Sequence, residues 1–206
     1  MKDLLTVQAH IRRCRLCPKM IGPPVHGSAS YSPILLIGQA PGPHEGERGK
    51  PFAHTAGITL FKWFGSVSGI DETSFRERIY MAAVARCYPG KGKGAGDRVP
   101  DATEISNCSR HLKNEINILK PTLILPIGKL AIQQALGEER FGSAHRLVDV
   151  IGNSYQVNYL GHVADAICLP HPSGLSSWHK TEPGKTLLQK ALKLVIAHPA
   201  WHEAVY

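Results

Sequence analysis

LLIGQAPGPHEGERGKPF, residues 35–52, decides how this chain reads. An apolar run, Leu35, Leu36 and Ile37, stops at Gly38. A stretch of Gly, Pro and polar residues follows and ends on the aromatic Phe52. A short apolar run bounded by glycine predicts a buried strand, and a glycine-rich loop at its end predicts a ligand site. Gly38 and Gly42 let the backbone approach a ligand closely, and Pro41 stiffens the turn. The N–H groups of Gln39 and Ala40 are placed to donate to a carbonyl oxygen. Phe52 offers a flat face on which a base stacks.

Three further runs have the same character: Ile79–Ala85, Thr122–Ile127 and Ala166–Leu169. Nearly continuous apolar runs of this length predict strands of a parallel sheet covered on both faces. Helical patterns lie between and around them, over Asp3–Arg13, Ala56–Val67, Asp101–Leu119, Lys129–Leu136 and Lys185–Ala197. The expected fold class is therefore α/β, a three-layer sandwich with a central, mostly parallel four-stranded sheet flanked by helices. No internal repeat or linker divides the chain, so residues 1–206 are read as a single domain.

The chain has 206 residues, of which 43% are hydrophobic and 19% charged, enough for a real core. No run of about 18 apolar residues predicts a membrane span. The N-terminal MKDLLTVQAHIRRC carries charge throughout and lacks a signal-peptide core, so a cytoplasmic protein is expected. The formal net charge of +8 favours a polyanion partner, nucleic acid first.

Three loops follow strand ends and are expected to converge. One is Gln39–Phe52. The second is RCYPGKGKGAGDRVP, residues 86–100, with four glycines, two lysines and two arginines. Its Lys91, Lys93 and Arg98 are candidate phosphate contacts. The third is LPHPSGLSSWH, residues 169–179. There His171 sits between two prolines, a rigid placement suited to stabilising negative charge on a ligand oxygen. Ser173 and Leu175 lie in the following turn. Leu175 reads as an exposed wedge for a base stack.

Five cysteines are present. Cys14 and Cys17 form a Cys-x-x-Cys pair, with Cys87 at a strand end and Cys108 in the next helix. Four thiolates suit an iron–sulfur cluster or a structural zinc, and the spacing leaves both open. Cys168, inside a strand, reads as a buried free thiol.

Together these motifs resemble the uracil-DNA glycosylase superfamily, most closely its iron–sulfur, family 4-like branch. GQAPGPHEGERGKPFAHTAG is similar to that branch's first motif, Gly-Glu-Ala-Pro-Gly followed by Gly-x-Pro-Phe-x-Gly-x-Ala-Gly. HPSGLS resembles the second, His-Pro-Ser-Pro-Leu in the classical enzymes. The resemblance implies a [4Fe-4S] cluster on Cys14, Cys17, Cys87 and Cys108. It implies a flipped uracil bound by Gly38, Gln39, Ala40, Gly42, Phe52, Ala83 and His171, with Phe52 stacking and His171 bonding the carbonyl. It implies a monomer that acts on uracil in single- or double-stranded DNA and starts base-excision repair.

The chain also departs from the family. Gln39 stands where family 4 has Glu, and Ala40 where the classical enzymes have their catalytic Asp. Glu45 and Glu47 are the carboxylates left in the loop to position water. Ala83 occupies the place of an Asn that reads the base edge, which implies broader base selectivity. Residues 90–100 lack both the Lys-Arg-Arg-Ile-His string of a covalently acting branch and any His. No covalent trapping is expected, and no amine nucleophile marks lyase chemistry. The competing expectations are a non-catalytic reader of uracil or damaged DNA, a glycosylase for another deaminated base, and a zinc-stabilised nucleic-acid module.

Overall fold

A computed structural model describes residues 3–94 and 96–206. Met1 and Lys2 of the N-terminal stretch, and Ala95 of the basic loop, lie outside the described residues.

Among the described residues, five strands form one sheet in the order β2-β1-β3-β5-β4. They are β1 Ile34–Gly38, β2 Tyr80–Ala83, β3 Leu123–Pro126, β4 Ser154–Tyr159 and β5 His162–Ile167. β1 pairs in parallel with β2 and β3, and β3 pairs in parallel with β5. All residues of β1, β2 and β3 are buried, as their unbroken apolar runs require.

The expected count of four strands is one short. β4 pairs antiparallel with β5 through a tight hairpin at Leu160 and Gly161, both at positive φ. Its sequence SYQVNY is half polar and half exposed because it lies at the sheet edge with one face to water. It therefore lacks the continuous apolar signal of the central strands. The last strand also starts earlier than the run Ala166–Leu169 and ends at Ile167; its first residues, His162–Ala164, pair with β4 alone.

The helices, in chain order, are α1 Leu4–Arg13, α2 Glu45–Arg48, α3 Thr55–Ser68, α4 Glu72–Arg78 and α5 Ala102–Leu119. They continue as α6 Lys129–Leu136, α7 Glu138–Phe141, α8 Leu147–Val150, α9 Gly184–Ala197 and α10 Pro199–Val205. Local chemistry sets their starts. Asp3, Asp71 and Asp101 cap α1, α4 and α5, each accepting a first-turn N–H, and Asp101 forms a full capping box with Glu104. α1 packs on α5, and α3 packs on α9, which also meets α10. No helix among the described residues is long and apolar enough to cross a membrane.

The topology locates the site. From β1 the chain crosses through α3 and α4 to β2 on one side. It then returns through α5 to β3 on the other side of β1. Right-handed crossovers in opposite directions put α3 and α5 on opposite faces. The strand order reverses between β1 and β3, and their carboxyl ends, at Gly38 and Pro126, open a crevice there.

Candidate active site and cysteine cavity

A cavity of about 180 Å³ lies at the carboxyl ends of β1 and β2, lined there by Gly38, Ala82 and Ala83. All three sequence-expected loops contribute. Gly38, Gln39, Ala40 and Gly42 come from the first, Asp97 from the second, and His171 and Ser173 from the third. Phe52 and Ala83 also line it. Ala83 closes the end of β2 opposite Gly38 and presents only a methyl group.

Phe52 is held in an uncommon conformation, with φ at 50°. A non-glycine residue there costs about 1–3 kcal/mol, so its surroundings must enforce it. Arg76 of α4 does so, donating from Nη1 to the Pro51 carbonyl and from Nη2 to the Phe52 carbonyl, both at 2.8 Å. Gly57 and Gly38 leave the room needed. A Cβ on Gly57 would stand 1.8 Å from the Phe52 carbonyl oxygen, and one on Gly38 would stand 3.1 Å from the Phe52 ring. A side chain at β1's end would make the ring give way by a few tenths of an ångström.

His171 is half-buried, and burial lowers its pKa below the usual imidazole value, with the Asp97 carboxylate opposing the shift. Its Nδ1 accepts the Ser173 backbone N–H at 3.2 Å. An accepting Nδ1 leaves the proton on Nε2 in the neutral ring. The ring rests against Gly128, where an added Cβ would meet it at 3.2 Å. Gly128 has φ +82° and donates its N–H to the Leu169 carbonyl, fixing the strand end beside His171.

The two carboxylates singled out in the loop have other duties. Glu45 lines the cavity but is 8% exposed, and its oxygens accept the Gly42 and Ala53 N–H groups at 3.3 and 3.2 Å. It clamps both ends of the loop, and burial raises its pKa despite those bonds. Glu47 is exposed and faces a different groove, with Ile21, Pro23 and Tyr88. The structure does not bring it to the cavity.

Asp97 was missed. It hides in a segment that reads as basic and solvated, and no local pattern marks it. Its side chain is 31% exposed, and Oδ1 accepts from Tyr88 Oη and Lys91 Nζ, each at 3.1 Å. Gln39 Nε2 reaches the Arg98 carbonyl of the same loop at 3.5 Å.

The expected phosphate contacts divide. Lys91 is paired with Asp97, and Lys93 is exposed. Arg98 is committed elsewhere, donating from both terminal nitrogens to Glu104 at 2.6 and 2.7 Å. That two-point pair occupies both terminal nitrogens of Arg98. Leu175 is 72% exposed at the tip of its turn, and Ser173 faces the cavity.

Cys14, Cys17, Cys87 and Cys108 line a second cavity of about 360 Å³ with Arg86 and His111. Among the described residues no three His, Cys, Asp or Glu side chains are grouped tightly enough for a single metal ion. Burial, then the neighbouring Cys108, Cys14 and Cys17, pushes the Cys87 thiol up to about 12. Cys168 is fully buried and apart from this cavity, as expected of a free core thiol.

A mostly parallel sheet with a cavity at its carboxyl strand ends, an aromatic wall and a half-buried imidazole defines a class of α/β ligand-binding proteins. The family model of the uracil DNA glycosylase superfamily matches residues 24–195, and the chain belongs to that superfamily. It is 28% identical to the type-4 uracil-DNA glycosylase of Pyrobaculum aerophilum over 177 residues, 84% of each chain. It is 28% identical to that of Archaeoglobus fulgidus over 69% of this chain and 66% of the relative. The match to the Sulfurisphaera tokodaii type-4 enzyme, at 29%, spans 61% of this chain and about half of that relative, 53%.

Proposed function

We propose that the protein excises uracil from DNA by hydrolysing the N-glycosidic bond and leaves an abasic site. The observation that carries this reading is the joining of Phe52, His171 and Asp97 in one cavity by three separate loops. In the proposed complex the flipped base lies against Phe52. Cleavage of C1′–N1 leaves negative charge on the base and positive charge on the sugar. The neutral His171 donates from Nε2 to the base oxygen as that charge develops. The Asp97 carboxylate stabilises the sugar cation and orients the water that adds to C1′. That water loses a proton, and the released base anion gains one from solvent. Lys93 and Leu175 meet the duplex, the latter filling the gap left by the base.

Ala83 supports a second reading of base range. A methyl group at the end of β2 neither donates nor accepts, so hypoxanthine and xanthine are rejected less strictly than in a site with a polar side chain there.

The cysteine cavity fits a [4Fe-4S] cluster better than zinc. Four thiols line one cavity of about 360 Å³, and four thiolates are the usual ligands of such a cluster. Buried, unpartnered nitrogens of Arg86 and His111, both in the cavity lining, supply donors that an anionic cluster accepts. Cys14, Cys17, Cys87 and Cys108 would hold it. Its role here is structural, tying the N-terminal segment to the end of β2. The chain is read as one domain acting as a monomer.

The test is alkaline strand cleavage of a labelled oligonucleotide with one uracil, single-stranded and opposite G or A. Cleavage that requires uracil, alkali and His171 establishes the activity. Binding without cleavage makes the protein a reader of the base.

A further inference from the structure

α5 carries a buried polar stripe, Glu104, Cys108, His111 and Glu115, at spacings of one helical turn. Its lower half meets Arg86, which is 2% exposed. Arg86 donates from Nη2 to Glu115, whose other oxygen accepts the Tyr80 hydroxyl at 2.6 Å. Gln8 of α1 reaches the same hydroxyl at 3.4 Å. This network satisfies only part of the guanidinium. Among the described residues, Arg86 Nε and Nη1 are buried with no partner, and so is His111 Nε2. All three belong to residues lining the cysteine cavity. An unpaired buried donor is destabilising, and more so when it carries charge. Three at one cavity are explained by a group inside it that is rich in acceptors.

We infer that Arg86 and His111 donate to the sulfurs of the cluster, Arg86 through Nε and Nη1 and His111 through Nε2. This rests on the cluster reading above. Arg86 is also where the two sites meet. Its carbonyl accepts from Val25, a residue of the base cavity, at 2.7 Å. Its neighbours Ala85 and Val84 donate to the Gln39 and Gly38 carbonyls at 3.0 and 2.9 Å. Arg86 is thus a positioning residue. Its charge is balanced by Glu115 and the cluster, and its backbone holds the strand end that carries Gln39. Hydrogen bonds to sulfur and nearby positive charge stabilise a cluster's reduced, more negative state.

The test is a redox titration of the purified holoprotein, followed by visible absorbance and electron paramagnetic resonance. Variants are His111→Leu, Arg86→Lys, and the neutral pair Arg86→Met with Glu115→Gln. The expected result is that each variant keeps the visible band while its midpoint potential moves negative, most in the neutral pair. Loss of the band to a chelator should also be faster. If the neutral pair fails to accumulate, the two single variants decide. Brown variants with the wild-type potential overturn the inference and leave the cluster reading standing. A colourless wild-type protein carrying zinc overturns both.

Discussion

The Ser173 backbone N–H donates to His171 Nδ1 at 3.2 Å, and this bond decides what the imidazole offers the cavity. With Nδ1 accepting, Nε2 carries the proton and the neutral ring is a donor. His171→Ala is expected to lower kcat by about 10²–10³-fold, the range for losing one donor to a developing anion. Single-turnover base release, with binding measured separately, checks this.

Burial sets the pH behaviour of the same residue. The folded pKa lies below the usual imidazole value of about 6.5. Below that value the unfolded chain binds a proton that folded His171 refuses. Its contribution to stability is therefore present above about 6.5 and lost as pH falls toward the folded pKa. The acid limb of single-turnover rate against pH is expected below 6.5, and it should vanish in His171→Gln. A limb above 6.5 contradicts the neutral donor.

Asp97 and Glu45 separate by substitution. Asp97→Asn is expected to slow base release by about 10²-fold or more, with DNA affinity kept. Glu45→Gln should retain most activity, since an amide oxygen still accepts from the loop. Glu45→Ala leaves the Gly42 and Ala53 N–H groups unpaired and should lower stability by about 2 kcal/mol, read by denaturant titration. A Glu45→Gln variant as inactive as Asp97→Asn would return the water to Glu45.

Gly128→Ala places a methyl 3.2 Å from the His171 ring at a φ of +82°. The variant is expected to lose about 1–3 kcal/mol of stability and to lose activity beyond what unfolding explains. Thermal melting alongside activity at low temperature distinguishes the two effects.

Leu175, 72% exposed, should matter only where there is a stack to fill. Leu175→Ala is expected to weaken action on duplex substrate by about tenfold, equivalent to about 1.4 kcal/mol. Single-stranded substrate should be nearly unaffected. Equal losses on both would assign Leu175 to packing.

Much of this architecture is written locally. β1, β2 and β3 announce themselves as continuous apolar runs because both their faces are covered. α5 and α6 follow from period and caps, and α6 spans Lys129–Leu136 as expected. Loops at strand ends name Phe52 and His171, because glycine and proline mark where the backbone must turn. β4 escapes this reading, since an edge strand with one wet face mixes polar and apolar residues.

The chain's own order of residues therefore determined the α/β class, the converging loops and the set of four cysteines. Tertiary structure alone decided which carboxylate reaches the cavity. Glu47, singled out in sequence, lines a different groove, while Asp97, which no local pattern marks, lines the cavity with His171. It also decided that Arg98 is spent on Glu104 and that Arg86 keeps unpaired donors against the cysteines. These outcomes depend on partners far apart along the chain. Such pairings are set by how strands and helices pack, and no local pattern of residues encodes them.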